Sequence, residues 1–146
     1  MPRKKAVPVR NLVVISDTHI GDEMGLCRPD AARTDNGGKY GPPEVIRKMW
    51  GWWEEFWNVW VPDVCRGEPF AVCLNGDAMD GRHHGAVHQW THNLAAQQAE
   101  AEAILKPIVE LCEGRYYHIR GTEAHVGPSG EQEELLAKAL GAIPNK

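Results

Sequence analysis

Three short apolar runs, each ending in ionisable residues, constrain this chain more than any other feature. Asn11 to Ser16 (NLVVIS) leads into Asp17-Thr18-His19, and Phe70 to Leu74 (FAVCL) leads into Asn75-Gly76-Asp77. Arg115 to Arg120 (RYYHIR) leads through Gly121 to Glu123 and His125. Short β-branched and aromatic runs bounded by turn residues read as buried strands. The first two are separated by a stretch with the three-and-four spacing of an amphipathic helix. It opens at Pro42-Pro43 and carries Val45, Ile46, Met49, Trp50, Trp53, Phe56, Trp57 and Trp60 on one face, and Pro62 is expected to end it. A second helix is expected over Leu94 to Cys112, with Ala101, Leu105 and Ile108 inward, Pro107 kinking or interrupting it, and Gly114 at its C-terminal cap. Ser129 and Gln132 have the spacing of a capping box, which predicts a third helix from about Gly130 to Leu140.

Strand, helix, strand, helix, strand, helix is the pattern of an α/β fold. It implies parallel strands, right-handed crossovers and helices covering the sheet. Open parallel sheets bind ligands outside the carboxyl ends of their strands. The three polar ends should therefore converge on one edge. The chain has 146 residues, room for one domain. Residues 18–42 are rich in Gly, Pro, Asp and Asn and read as a long loop walling the site.

The net charge of -4 gives no global attraction to nucleic acid. The one basic cluster, Arg3, Lys4, Lys5 and Arg10, falls in residues 1–10 and reads as a solvated N-terminal tail. Four cysteines form no CxxC pair, which fits a reducing, cytoplasmic compartment. No apolar stretch approaches the ~20 residues that span a bilayer, so no membrane partner is expected.

Asp17 and His19 lie two apart, so extended backbone would point both to one side. An oxygen and a nitrogen donor together make half a site for Mn, Fe or Zn. Asp77 follows a glycine, where backbone can approach closely, and a carboxylate there could bridge two ions. Two ions about 3.5–4 Å apart clamp a phosphoryl group and activate water for in-line attack. His83, His84, His88 and His92 follow directly. His84 is the candidate to reach phosphate or a second ion. The tryptophans of the first helix read mainly as core, with a base-stacking platform as the alternative, and Trp52 lies off the apolar face.

ISDTHIGD, LNGDAMDG and IRGTEAH, in that order, resemble the first three blocks of the calcineurin-like metallophosphoesterase superfamily: D-x-H, G-D-x-x-D and G-N-H-[DE]. RGTEAHVG is similar to members encoded by bacteriophages. The resemblance runs from Leu12 to Gly121 and a little beyond. It implies that Asp17 and His19 bind a first metal, that Asp77 bridges two, and that Asp80 supports the loop. In the third block Thr122 stands where the family has a metal-binding Asn, and Glu123 where it has a catalytic His. The variant reading gives Glu123 an oxygen bond to the second metal. It puts Thr122 against phosphate and makes His125 the imidazole that stabilises charge or protonates the leaving group. The implied reaction is hydrolysis of a phosphodiester or phosphomonoester, with DNA or nucleotides as candidate substrates. The implied cofactors are two divalent ions, manganese favoured, and the implied location is the cytoplasm, that of the host for a phage protein. The family fold is a four-layer α/β/β/α sandwich whose later blocks are His-rich. No histidine follows His125. The chain is thus expected to form the βαβαβα half, completed by a partner chain or by self-association. The alternative is a truncated or degenerate non-catalytic metal-binding or interaction module.

Overall fold

The computed structural model of the chain describes residues 8–83, 85–127 and 130–144, with Val126 by its backbone only. Arg3, Lys4, Lys5, His84 and Ser129 lie outside the described residues. The fold is mixed α/β around a small parallel sheet. Strands β1 (Asn11–Ile15), β2 (Phe70–Asn75) and β3 (Tyr116–Ile119) lie side by side in the order β1-β2-β3. Val13 pairs with Val72 and Val72 with Tyr116, so these three share a face; Ile15, Leu74 and His118 share it one step along.

That inner face carries the core. Helix α1 (Glu44–Glu55), a π-helical turn (Phe56–Trp60) and helix α2 (Val61–Val64) form one continuous rod after the long loop. Helix α3 (Leu94–Leu111) follows β2, and α4 (Glu123–Val126) and α5 (Glu131–Ala139) follow β3. Trp57 and Val61 from the rod pack with Ala101, Ile104, Leu105 and Ile108 of α3, Leu136 of α5 and the inner sheet residues. The opposite face is open: Leu12, Val14, Tyr117 and Ile119 are all exposed. No helix among the described residues is long and apolar enough to cross a membrane.

Several local expectations need correction. Pro62 does not end the first helix, which continues to Val64. Proline lacks an N–H and its ring collides with the carbonyl four residues back. The π turn just upstream makes room, since the Val61 N–H reaches back five residues to the Phe56 carbonyl. The wider turn also shifts the helical phase. Trp57, Val61 and Cys65 are buried, whereas Trp60, expected on the apolar face, is exposed and stacks on Phe56 at 5.1 Å. Val45 at the other end is exposed as well. Pro107 sits inside α3 without interrupting it. Asn93, which the sequence reading passed over, caps α3 by accepting the Ala95 and Ala96 N–H groups. The N-terminal position of α5 is Gly130 at φ +66°, with no side-chain cap. Residues 18–42 are not structureless. They pair with the loop after β2 through bridges Ile20 to Met79 and Asp22 to Gln89, and they bury Ile20, Leu26, Cys27 and Ala32.

Candidate metal centre

The strand ends turn sharply where the ionisable residues begin. β1 stops at Ile15, so extended alternation does not align Asp17 with His19. Instead both take left-handed backbone, at φ 55° and 42°, and Asp77 does the same at 53°. A non-glycine residue held there costs about 1 kcal/mol or more, and such strain gathers at functional sites. The backbone around them is tied. Asp17 N–H donates to the Gly76 carbonyl (3.1 Å), His19 N–H to that of Asp77 (3.1 Å) and Ile20 N–H to that of Ala78 (3.0 Å). The result brings His19 Nε2 to 3.6 Å from Asp17 Oδ1.

Asp77 is 9% exposed and is held from β3's side. Its Oδ1 accepts the Thr122 N–H at 2.8 Å and the Thr122 hydroxyl at 3.2 Å. Thr122, assigned above to phosphate, here orients the carboxylate. The approach depends on two glycines. A Cβ on Gly76 would lie 2.9 Å from the Gly121 Cα, and one on Gly121 would collide with Asp77 Oδ1 and its backbone nitrogen.

Asp80, expected only to support the loop, is the hub of the cluster. It is 3% exposed. Its Oδ1 lies 3.3 Å from His19 Nδ1 and 3.4 Å from His125 Nδ1. Its Oδ2 accepts from Gln89 Nε2 at 2.6 Å and lies 3.3 Å from His83 Nε2. The Asp80 carbonyl lies 2.8 Å from His125 Nδ1. That contact sets the tautomer: Nδ1 carries the proton, and Nε2 is the free ring atom. The His125 ring meets those of His19 and His83 edge-on, at 4.5 and 4.6 Å.

Among the described residues, three groupings of ligand atoms, each within 4.8 Å, arise here: His19–Asp77–His125, Asp80–His83–His125 and Asp22–Asp80–His88. Asp17 flanks the first through His19 but belongs to none of them, and its side chain is 63% exposed. Glu123, expected to supply a metal oxygen, is exposed and also belongs to none. His84 lies outside the described residues. Asp22, not singled out in the sequence, is 8% exposed and pairs with His88.

Glu133 was also missed. It sits on the first turn of α5, 1% exposed, and its two oxygens accept the Ala78 N–H (2.8 Å) and the Gly121 N–H. These are the residue after Asp77 and the residue before Thr122, so one carboxylate fastens β2's end to β3's end. Burial pushes the Glu133 carboxyl up, but the His118 imidazole and the two N–H groups favour its charged form and hold it below its ordinary range. Gln97, wholly buried on α3, accepts the Gly81 N–H at 2.8 Å and donates to the Gly81 and Thr91 carbonyls. The sequence signal for both was weak: a polar residue on an otherwise apolar helix face.

The cluster opens into a cleft of about 790 Å³. His19, Asp80, His83, His88 and His125 form its polar end; Met49, Trp52, Trp53 and Phe56 line the apolar wall. Trp52 is 63% exposed there, off the apolar face of α1 as its spacing predicts. Comparison of the chain with protein-family models, with characterised proteins and with solved structures finds no match.

Proposed function

We propose that the chain is a metal-dependent phosphoesterase of the calcineurin-like type, with its ion held by His19, Asp77 and His125. The observation that carries this reading is the convergence of those three ligand atoms within 4.8 Å at the carboxyl ends of three parallel strands. Two imidazoles and one carboxylate suit Mn, Fe or Zn, and a neighbouring Asp17 offers a further oxygen. Left-handed backbone at Asp17, His19 and Asp77 supports it, because strain of that kind persists where a site needs it.

When bound, such an ion supplies Lewis-acid polarisation and lowers the pKa of water. The chain's own groups do the rest. Thr122 and Gly121 hold Asp77 in place. The Asp80 carbonyl fixes Nδ1 of His125 as the protonated nitrogen, which leaves Nε2 as the atom that would hold the ion. The wall of Trp52, Trp53 and Phe56 favours an ester with a flat base, as in a nucleotide or single-stranded DNA. Hydrolysis of p-nitrophenyl phosphate, of its bis-ester and of single-stranded DNA should require Mn²⁺. Asp77→Asn should lower kcat/KM by about 10²-fold or more. Activity unchanged in that variant would defeat the reading.

One observation favours a second reading, that of a module docking on another surface. Parallel sheets are normally covered on both faces, whereas Leu12, Val14, Tyr117 and Ile119 stand open to solvent. Self-association in sedimentation, abolished by Leu12→Lys with Ile119→Lys and combined with no Mn²⁺-dependent hydrolysis, would select it.

A further inference from the structure

We propose that the outward side of the rod formed by α1, the π turn and α2 is a stacking track for single-stranded nucleic acid. It runs from Trp52 in the cleft across Phe56 to Trp60 and ends at Arg10. It rests on the hydrolase reading only for the place of the scissile phosphate. The binding itself needs no ion, and Trp60 and Arg10 lie outside the residues on which that reading depends.

The three rings form a row. Trp52, Phe56 and Trp60 follow one another at steps of four residues. In an α-helix a step of four overshoots one turn by about 40°, so a row at that spacing winds away around the surface. The π turn over Phe56–Trp60 holds more residues per turn and takes that drift back. Trp60 is thereby carried back toward the line of Trp52 and stacks on Phe56 at 5.1 Å, with the ring planes 16° apart. Trp52 and Trp60 are 63% and 52% exposed. Single exposed aromatics are ordinary, but a row of large rings set on a π turn marks a binding surface.

Two hollows meet along this row. The cleft has Val14, Trp52 and Phe56 in its apolar wall. A second groove of about 470 Å³ shares Val14 and Phe56 with it and continues to Trp60 and Arg10. Trp52 to Trp60 is eight residues of helix, about 12 Å, which fits about three bases at their 3.4 Å stacking distance. Arg10 is exposed and enters none of the ion pairs among the described residues. Three more cations, Arg3, Lys4 and Lys5, precede it by five to seven positions in the sequence. Rings followed by cations are what a single strand needs: every base has a face to stack, and every phosphate a charge to neutralise. A mononucleotide would use the cleft wall alone. The second groove serves a strand that continues past the cleft. A duplex keeps its bases stacked on one another and offers none to the rings.

Fluorescence anisotropy of a labelled oligothymidylate of about 12 nucleotides, titrated with the full chain in EDTA at low salt, tests the track with hydrolysis switched off. The strand should bind, and a duplex of the same length should bind about tenfold more weakly or worse. Trp52→Leu and Trp60→Leu keep an apolar group but remove the ring. Each should cost about tenfold in affinity, whereas Trp60→Phe should keep most of it. Arg10→Ala should reduce the salt slope of log affinity by about 0.7. The three side chains are exposed, so these variants should keep the wild-type circular dichroism. No binding by the wild type, equal binding of strand and duplex, or affinity indifferent to both leucine variants would overturn the track. So would a dimer in sedimentation, or binding to phosphatidylserine vesicles, that is lost in Trp60→Leu while the oligonucleotide does not bind; the surface would then belong to a second copy or to a lipid. Strand binding without Mn²⁺-dependent cleavage of p-nitrophenyl phosphate would uphold the track and overturn the hydrolase reading. Cleavage without strand binding would do the reverse.

Discussion

Replacing Glu133 with Gln is the sharpest test of how the strand ends are held. The carboxylate accepts a buried N–H from Ala78 and a part-buried one from Gly121, and faces His118 Nε2 at 3.7 Å. Glutamine keeps one acceptor oxygen and turns an NH2 toward the other donor. An unsatisfied buried donor costs about 1–3 kcal/mol, and the remaining bond loses its charged acceptor, about another 1 kcal/mol. The sum, about 3 kcal/mol, is a large part of the ~5–15 kcal/mol that domains possess. It should appear as a fall in Tm of about 6–12 °C at pH 7. The sign of the pH dependence follows from the depressed carboxyl. Its stabilisation is fully present above the ordinary glutamate value of 4.5 and is lost as pH falls through the lower folded value. Thermal unfolding followed by circular dichroism should therefore show wild type and variant drawing together below about pH 4. A Tm change under about 2 °C at pH 7, or a difference undiminished in acid, would refute the clamp.

Two further outcomes follow from the same geometry. Gly121→Ala should destabilise the protein by about 1–3 kcal/mol and weaken Mn²⁺ binding, because the new methyl collides with the carboxylate and the backbone nitrogen of Asp77; urea unfolding and metal titration together check it. Burial pushes the Cys27 thiol up to about 12, and the residue is wholly buried. Iodoacetamide at about pH 8 should spare Cys27 in the folded protein and label it in urea, as read by peptide mass spectrometry.

Much of the architecture was legible because it is local. The three strands announce themselves as apolar runs closed by turn residues, and the polar residues at their ends follow from the sheet being parallel. Asp77 and His125 are found near each other for that reason. The rest depends on geometry that spacing does not encode. A π turn has no sequence period of its own, so the phase shift that exposes Trp60 and buries Val61 was invisible. Left-handed backbone at Asp17 and His19 replaced the expected extended alternation. The ties of Glu133 to Ala78 and of Asp22 to His88 span more than fifty residues each. Each of these acids looked like an ordinary solvated residue until the chain was folded around it. Glu123 shows the reverse error: a motif position suggested a ligand, but the short helix that follows Thr122 leaves it exposed.

The parallel register of β1 on β2 also sets how the chain must fold in time. Asn11 pairs with Phe70 only after the whole of the long loop and the tryptophan-bearing rod has been made. No hairpin can start this sheet, so its nucleus has to close a long loop before any strand pairing rewards it. Folding of such a sheet falls nearer milliseconds to seconds than microseconds. During synthesis the NLVVI segment emerges before the other two strands and waits longest of the three for its partner. That interval, rather than the finished fold, is when this chain most exposes a sticky strand to chaperones or to copies of itself.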